Sequence, residues 1–316
     1  MSILFFLTAF LFFTSLTYGE ENKNLKSYGQ FNIKANMIFF YYTDLDRAAE
    51  FYEKILGLPK VLDYGFAKAF QLSQTSYVCL VDETKGMHRA SEPKTVTLSI
   101  ITQEVDGWYQ YLKKRGVKIH SPLSESSRLP IKGFVALDSE GYYLEFETFQ
   151  EHEQNKKILP LLEKITPLYP VKNEKSFRPQ ELGIQGSIFW LYYQDLKEAQ
   201  DFYEKTLKLE FLVNQGFAQI YASSASGFIG PVDGSQGLHP FTEKKAVNIG
   251  FITDQIDQWY KYLIGRGLKI KSPLDEAEQG RVRAFVAFDI ADYYFEFDRF
   301  NPHPDNQSLL FILKKY

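Results

Sequence analysis

MIFFYYTDLDRAAEFYEKILGL, residues 37–58, runs from an aromatic strand into an amphipathic helix. Alternation along the strand puts Met37, Phe39 and Tyr41 on one face and Ile38, Phe40 and Tyr42 on the other. Asp44 is a good N-cap, Leu45, Ala48, Phe51, Tyr52, Ile55 and Leu56 form one helical stripe, and Gly57 suits the position after the helix. The pattern returns as IFWLYYQDLKEAQDFYEKTLKL at residues 188–209. The offset from Asp44 to Asp195, 151 residues, then holds without a gap. Gly65-Phe66-Ala67 recurs as Gly216-Phe217-Ala218, Trp108-Tyr109 as Trp259-Tyr260, Ser121-Pro122-Leu123 as Ser272-Pro273-Leu274, and Glu145-Phe146 as Glu296-Phe297. Roughly 40 % of positions 37–149 equal their partners, so the chain is a tandem duplication with one domain per copy. Lys208 stands where the first copy has Gly57, so the second helix must end differently or under strain.

Each copy reads strand, helix, strands, twice over. The first copy shows short strands at 66–72 and 76–82, and a second unit that opens on the strand at 95–101. A helix follows at about 105–115, with Val105, Trp108, Tyr109 and Leu112 on its buried side, and then strands near 133–137 and 142–148. The matching runs ILPLLEKI and LLFILKKY, behind Asn155 and Asn306, read as short helices, each packed on its own domain. Domains are expected at 28–165 and 182–316, with 166–181 as linker. Ile3 to Tyr18 form an uncharged apolar run shorter than the roughly 20 residues of a membrane span. With Thr17 and Gly19 at −3 and −1 of a cut, residues 1–19 read as a signal peptide and the chain as exported, periplasmic or extracellular; an uncleaved membrane anchor is the alternative. No later run reaches spanning length. The single cysteine, Cys79, excludes an intramolecular disulfide and a cysteine-based zinc site. A net charge of −3 without a basic stripe argues against nucleic acid.

The two β-α-β-β-β units per copy, the D-L-x-x-A-x-x-F-Y-E-K-x-L start and the D-x-x-x-Y-Y-x-E-F ending resemble the vicinal oxygen chelate superfamily, the glyoxalase, bleomycin-resistance and extradiol dioxygenase group, over 33–150 and 184–301. The resemblance implies an α+β fold of two tandem domains, each of two βαβββ units with curved mixed sheets around a cleft. Internal pairing of the two domains is expected, but the sequence leaves open whether units pair within a copy or between copies. The resemblance also implies four metal-ligand positions, usually three His or Glu residues and a final Glu. They fall here on Met37, Cys79, Thr97 and Glu145, and in the second copy on Ile188, Gly230, Asn248 and Glu296. Only the glutamate survives, so no cofactor and no metal is expected. A divalent ion is the disfavoured alternative, with Glu145, Glu296, His88 and His239 as its remaining candidate ligands.

The family register turns Met37, Phe39 and Tyr41 into a cleft, with Ile188, Trp190 and Tyr192 as their counterparts. Thr97, Ser99 and Asn248 join from the second units. Alternation on the last strand adds Tyr143, Glu145 and Glu147, and Tyr294, Glu296 and Asp298. Carboxylates two residues apart on one strand face can bind a cation or serve as a general base, which makes Glu145 and Glu296 the catalytic candidates. His88, His239, His152 and His303 read as loop residues that bond backbone or cap turns. An aromatic and acidic cleft suits a small aromatic or amine-bearing molecule. The function expected is therefore metal-free small-molecule binding by an exported protein. The alternatives are a lyase, isomerase or dioxygenase with an unconventional metal site, and a scaffold with filled clefts.

Overall fold

The computed structural model describes residues 26–126, 128–170 and 176–316; the expected signal peptide lies outside them. The first copy runs β1 (Ala35–Tyr42), α1 (Leu45–Glu50), β2 (Lys60–Asp63), β3 (Ala67–Ser73), β4 (Ser76–Asp82), then β5 (Val96–Ile101), α2 (Val105–Lys114), β6 (Ile119–Glu125), β7 (Ile131–Leu137), β8 (Tyr143–Phe149) and a short α3 (Leu159–Leu162). The second copy repeats it as β9 (Gly186–Tyr193), α4 (Leu196–Asp201), β10 (Glu210–Asn214), β11 (Gln219–Ala222), β12 (Gly227–Asp233), β13 (Val247–Ile252), α5 (Ile256–Gly265), β14 (Ile270–Ala277), β15 (Val282–Phe288), β16 (Tyr294–Phe300) and α6 (Gln307–Leu313).

The strands form two eight-stranded mixed sheets, ordered β14-β15-β16-β13-β1-β4-β3-β2 and β10-β11-β12-β9-β5-β8-β7-β6. The copies therefore exchange units. The first unit of copy one joins the second unit of copy two through antiparallel β1 and β13, with Phe39 opposite Asn248 and Met37 opposite Gly250. The other two units join through β5 and β9, with Thr97 opposite Trp190. Each cleft thus takes half of its residues from each copy. The same exchange corrects the expectation that each short helix packs on its own domain. Ile158 and Leu162, around α3, share a core with Leu212 and Val213 of copy two. Leu309 and Leu313 of α6 pack with Val61 and Leu62 of copy one.

The opening helix forms as its sequence dictates. Asp44 accepts from the Arg47 N–H at 3.0 Å and Asp195 from the Glu198 N–H at 2.9 Å. Both helices then widen into a π turn, where the Leu56 N–H reaches the Phe51 carbonyl and the Leu207 N–H the Phe202 carbonyl. Gly57 leaves that turn at φ +62°, with Ser176 and Arg178 crowding the space a Cβ would need. Lys208 adopts the same left-handed conformation, φ 59°, with an exposed side chain. Lys208→Gly is expected to stabilise the protein by roughly 0.5–1 kcal/mol, because a Cβ is disfavoured there. Urea denaturation of the two proteins checks this; an unchanged or lower midpoint would refute it.

The closing D-x-x-x-Y-Y motif is structural in its first two fixed positions. Asp138 accepts from the hydroxyls of Tyr42 (2.5 Å) and Tyr52 (3.2 Å), and Asp289 from that of Tyr193 (2.7 Å). The Tyr142 hydroxyl accepts from the Tyr41 N–H at 2.9 Å and donates to the Ala246 carbonyl at 2.7 Å. It so ties the start of β8 in one sheet to β1 in the other, and Tyr293 repeats the bridge with Tyr192 and Thr95. The described part of the expected linker is clamped by a residue without a sequence signal. Buried Arg178 donates to the carbonyls of Leu182 (2.7 Å) and Leu168 (2.6 Å) and lies 4.9 Å from the Trp108 ring centre.

Candidate functional site

The strand faces separate as alternation requires. Ile38, Phe40, Tyr42, Leu144, Phe146, Phe295 and Phe297 belong to the main core, while Met37 and Tyr41 belong to a separate cluster beside a cleft. That cleft encloses about 430 Å³. Met37, Phe39, Tyr41 and Cys79 reach it from copy one, and Asn248, Glu296 and Asp298 from copy two. The second cleft is smaller, about 310 Å³, and receives Glu145 and Glu147 from copy one and Trp190 and Tyr192 from copy two. Two substitutions account for much of the difference. Trp190 stands where the first cleft has Phe39, and its ring covers Gly230, the counterpart of Cys79, so tightly that a Cβ there would collide with it. Ile220 likewise replaces Ala69.

The remaining predicted residues take other places. Ile188 is core, with 0 % exposure. Thr97 and Ser99 lie beneath the second cleft, where the Thr97 and Tyr192 hydroxyls are 2.7 Å apart and the Ser99 hydroxyl donates to Glu147. Tyr143 and Tyr294 are covered by basic side chains. Tyr143 lies between the His239 and His120 rings, at 4.3 and 4.4 Å, and Tyr294 between the His88 ring (4.4 Å) and the Lys271 ammonium (4.6 Å). His120 and Lys271, its match at the 151-residue offset, thus take equivalent places over the two tyrosines. His239 turns to the Val96 backbone, as expected of a loop histidine, whereas His88 pairs with Glu92, its Nδ1 2.7 Å from Oε2; both rings are substantially buried. His152 and His303 are caps, accepting from the N–H groups of Gln154 (3.1 Å) and Asp305 (3.2 Å).

Sequence reasoning missed Cys79 as a wall residue, and Tyr64, Phe66 and the β14–β15 arm, including Ala284. The repeated G-F-A and S-P-L motifs were the available signal, since Phe66, Ala67, Ser272 and Pro273 all line the first cleft.

Electrostatically the clefts are unusual. Asp298 and Glu147 are 2 % and 0 % exposed, and each keeps one carboxyl oxygen without a protein partner. Burial pushes Glu147 and Glu296 up to about 7, and burial together with the neighbouring carboxyl holds Glu145 and Asp298 well above the usual carboxylate range. Asn248 donates to Glu296 at 3.0 Å and opposes that rise. Trp190 opposes the rise at Glu145, its indole nitrogen turned towards the carboxyl without meeting an acceptor at full hydrogen-bond geometry.

The four positions that hold a metal in related folds do not fit one here. In the first cleft they are a thioether (Met37), a thiol that burial keeps protonated (Cys79), an amide bonded to Glu296 (Asn248), and Glu296 itself. In the second they are Ile188, Gly230, Thr97 and Glu145. Among the described residues no three His, Cys, Asp or Glu side chains converge on one point.

Residues 34–146 match the family model described as Glyoxalase/Bleomycin resistance protein/Dioxygenase superfamily. A search of curated proteins found no match. Among solved structures, a proposed dioxygenase from Bacillus subtilis subsp. subtilis strain 168 superposes with a TM-score of 0.61 at 16 % identity, over 88 % of this chain and 87 % of that one. Glyoxalase I from Zea mays superposes with a TM-score of 0.57 at 16 % identity, over 88 % of this chain and 94 % of that one. At such identities the likeness is one of fold.

Proposed function

We propose that the chain, whose residues 34–146 match the Glyoxalase/Bleomycin resistance protein/Dioxygenase superfamily and are repeated in its second copy, binds a small, largely apolar molecule in its first cleft without a metal. The observation that carries this reading is the contrast between the clefts. One keeps an aromatic space of about 430 Å³, while in the other Trp190 and Ile220 occupy part of the matching volume. The ligand positions argue further against metal chemistry, since their donors are thioether, protonated thiol and amide. The apolar run Ile3–Tyr18 supports an exported protein, and a mature chain beginning at Glu20 is the expected mass-spectrometric result.

Ala284 lines the open wall of the first cleft, opposite Asp298 on β16. Small aromatic compounds that stabilise the protein in a thermal-shift screen should lose their effect in Ala284→Phe. The variant itself should melt close to wild type, because the new ring enters open space. A panel without effect on wild type, or a shift that survives in Ala284→Phe, would remove this function. Elemental analysis of the purified protein should find no stoichiometric divalent ion.

A further inference from the structure

The floor of the first cleft is acidic, and its acceptors are not all used. Asp298 keeps a buried, unpartnered Oδ2 that lines the cavity. Glu296 lies two residues away on the same strand face. Its position is set by a chain of polar contacts. Asn248 donates to its Oε2, and Asn248 in turn neighbours the buried His88 ring, whose Nδ1 lies 2.7 Å from Glu92 Oε2. Among the described residues no guanidinium lines the cavity, and one ammonium, Lys85, shares its lining with four carboxyls, Asp275, Glu278, Glu296 and Asp298. Aromatic rings, Phe39 and Tyr41 among them, supply π faces beside the pair.

The second cleft differs at this point. Ser99 donates to Glu147 there, and the Trp190 indole turns its N–H towards Glu145. The protein itself thus directs neutral donors at that carboxyl pair. In the first cleft Asn248 serves Glu296, but Gly250 stands where the second cleft has Ser99 and Phe39 where it has Trp190, so Asp298 Oδ2 keeps no protein partner and its donor has to arrive with the ligand.

We propose that the first cleft, and not the second, takes an ammonium group attached to an apolar or aromatic body, seats it on Glu296 and Asp298, and releases a proton from that pair as it enters. The inference rests on the binding function proposed above and adds the chemistry of the ligand's head. The proton balance is simple. Two adjacent buried carboxyls hold a shared proton when no cation is present. The incoming ammonium supplies the positive charge and three N–H donors, and the displaced proton leaves to solvent. The direction of titration agrees, since burial raises both acids and Glu296 reaches about 7. The other titratable groups around the pair are Tyr41, Tyr64, Cys79 and Glu278, with Lys85 and Asp275 also lining the cavity. Burial keeps Tyr41, Tyr64 and Cys79 neutral in this range and also disfavours charge on His88 behind Asn248, so the carboxyls are the groups that exchange the proton.

The test compares three probes of one shape, 2-phenylethylamine, 2-phenylethanol and 3-phenylpropionate, by isothermal titration calorimetry on the full chain. At pH 7.5 the amine should bind at least tenfold more tightly than the alcohol, and the propionate should not bind. The amine's enthalpy should differ between phosphate and Tris buffers by the amount that a released proton requires. Its affinity should rise between pH 5.5 and 8. Asp298→Asn should abolish the preference for amine over alcohol, while Glu145→Gln in the second cleft should leave it unchanged. If Asp298→Asn fails to fold, the two-buffer measurement on wild type decides alone. Equal binding of amine and alcohol, or an amine enthalpy independent of buffer, overturns the proposal and leaves the binding function standing. If none of the three probes binds, the binding function falls and takes the proposal with it.

Discussion

Raising the pH from 5 to 8 is expected to destabilise this protein by several kcal/mol, contrary to the usual behaviour of proteins whose carboxylates are salt-bridged. Glu147 is fully buried and burial lifts it to about 7; Glu296 reaches about 7 and Asp289 about 6. In the unfolded chain such groups titrate near 4. Between those values the native state holds protons that the unfolded state has lost, so stability falls as pH rises through the window and levels off above the native pKa. Glu147 alone accounts for roughly 3 kcal/mol, and Glu296, which opens on the cleft, for less. His239, which burial pushes down to about 4, acts in the opposite sense below about pH 6.5 and offsets part of the slope. Glu147→Gln isolates one carboxyl, because the amide oxygen still accepts from Ser99. That variant should match wild type near pH 5 and exceed it at pH 8, by up to about 3 kcal/mol in urea denaturation. A wild-type profile that rises across this range, or an unchanged slope in Glu147→Gln, would contradict the account.

Separating the two copies is expected to abolish the monomer. Each sheet joins one unit of each copy, through β1 with β13 and β5 with β9. A fragment of residues 26–165 would keep the β1–β4 and β5–β8 pairs but leave the other edge of β1 and of β5 unpaired, a strong drive to associate. Since the copies are duplicates, β1 of one fragment can meet β5 of another, and the cheapest closure is a two-fold dimer. Residues 176–316 should behave alike. Size-exclusion chromatography with light scattering should find each fragment dimeric or aggregated, and equimolar co-refolding should yield a stable 1:1 complex of the two. A folded, monomeric 26–165 fragment would show that the units can pair within one copy after all.

The register of this fold was legible in one stretch of sequence. The period of two in residues 37–42 sorted Ile38, Phe40 and Tyr42 to the core and Met37, Phe39 and Tyr41 to the cleft, and the 151-residue offset carried the cleft assignment to Trp190 and Tyr192 on β9 but not to Ile188, which is core. Asp44 and Asp195 as caps, and the left-handed Lys208, followed from single residues whose local chemistry has few solutions. These properties are local, set by the geometry of one strand or one helix end. Which unit pairs with which is not local. Both arrangements bury the same duplicated strand faces, so periodicity cannot separate them, and only the tertiary structure brings Phe39 against Asn248 rather than Thr97. The same holds for the inequality of the clefts. Trp190 and Gly230 are forty positions apart in the chain, about as far as Phe39 and Cys79, and nothing in either sequence says that the indole ring lies over the glycine. The sequence by itself determined two equivalent acidic, aromatic faces. Packing alone decided that one remains open and the other is partly filled, because volume is a property of the residues a fold brings together.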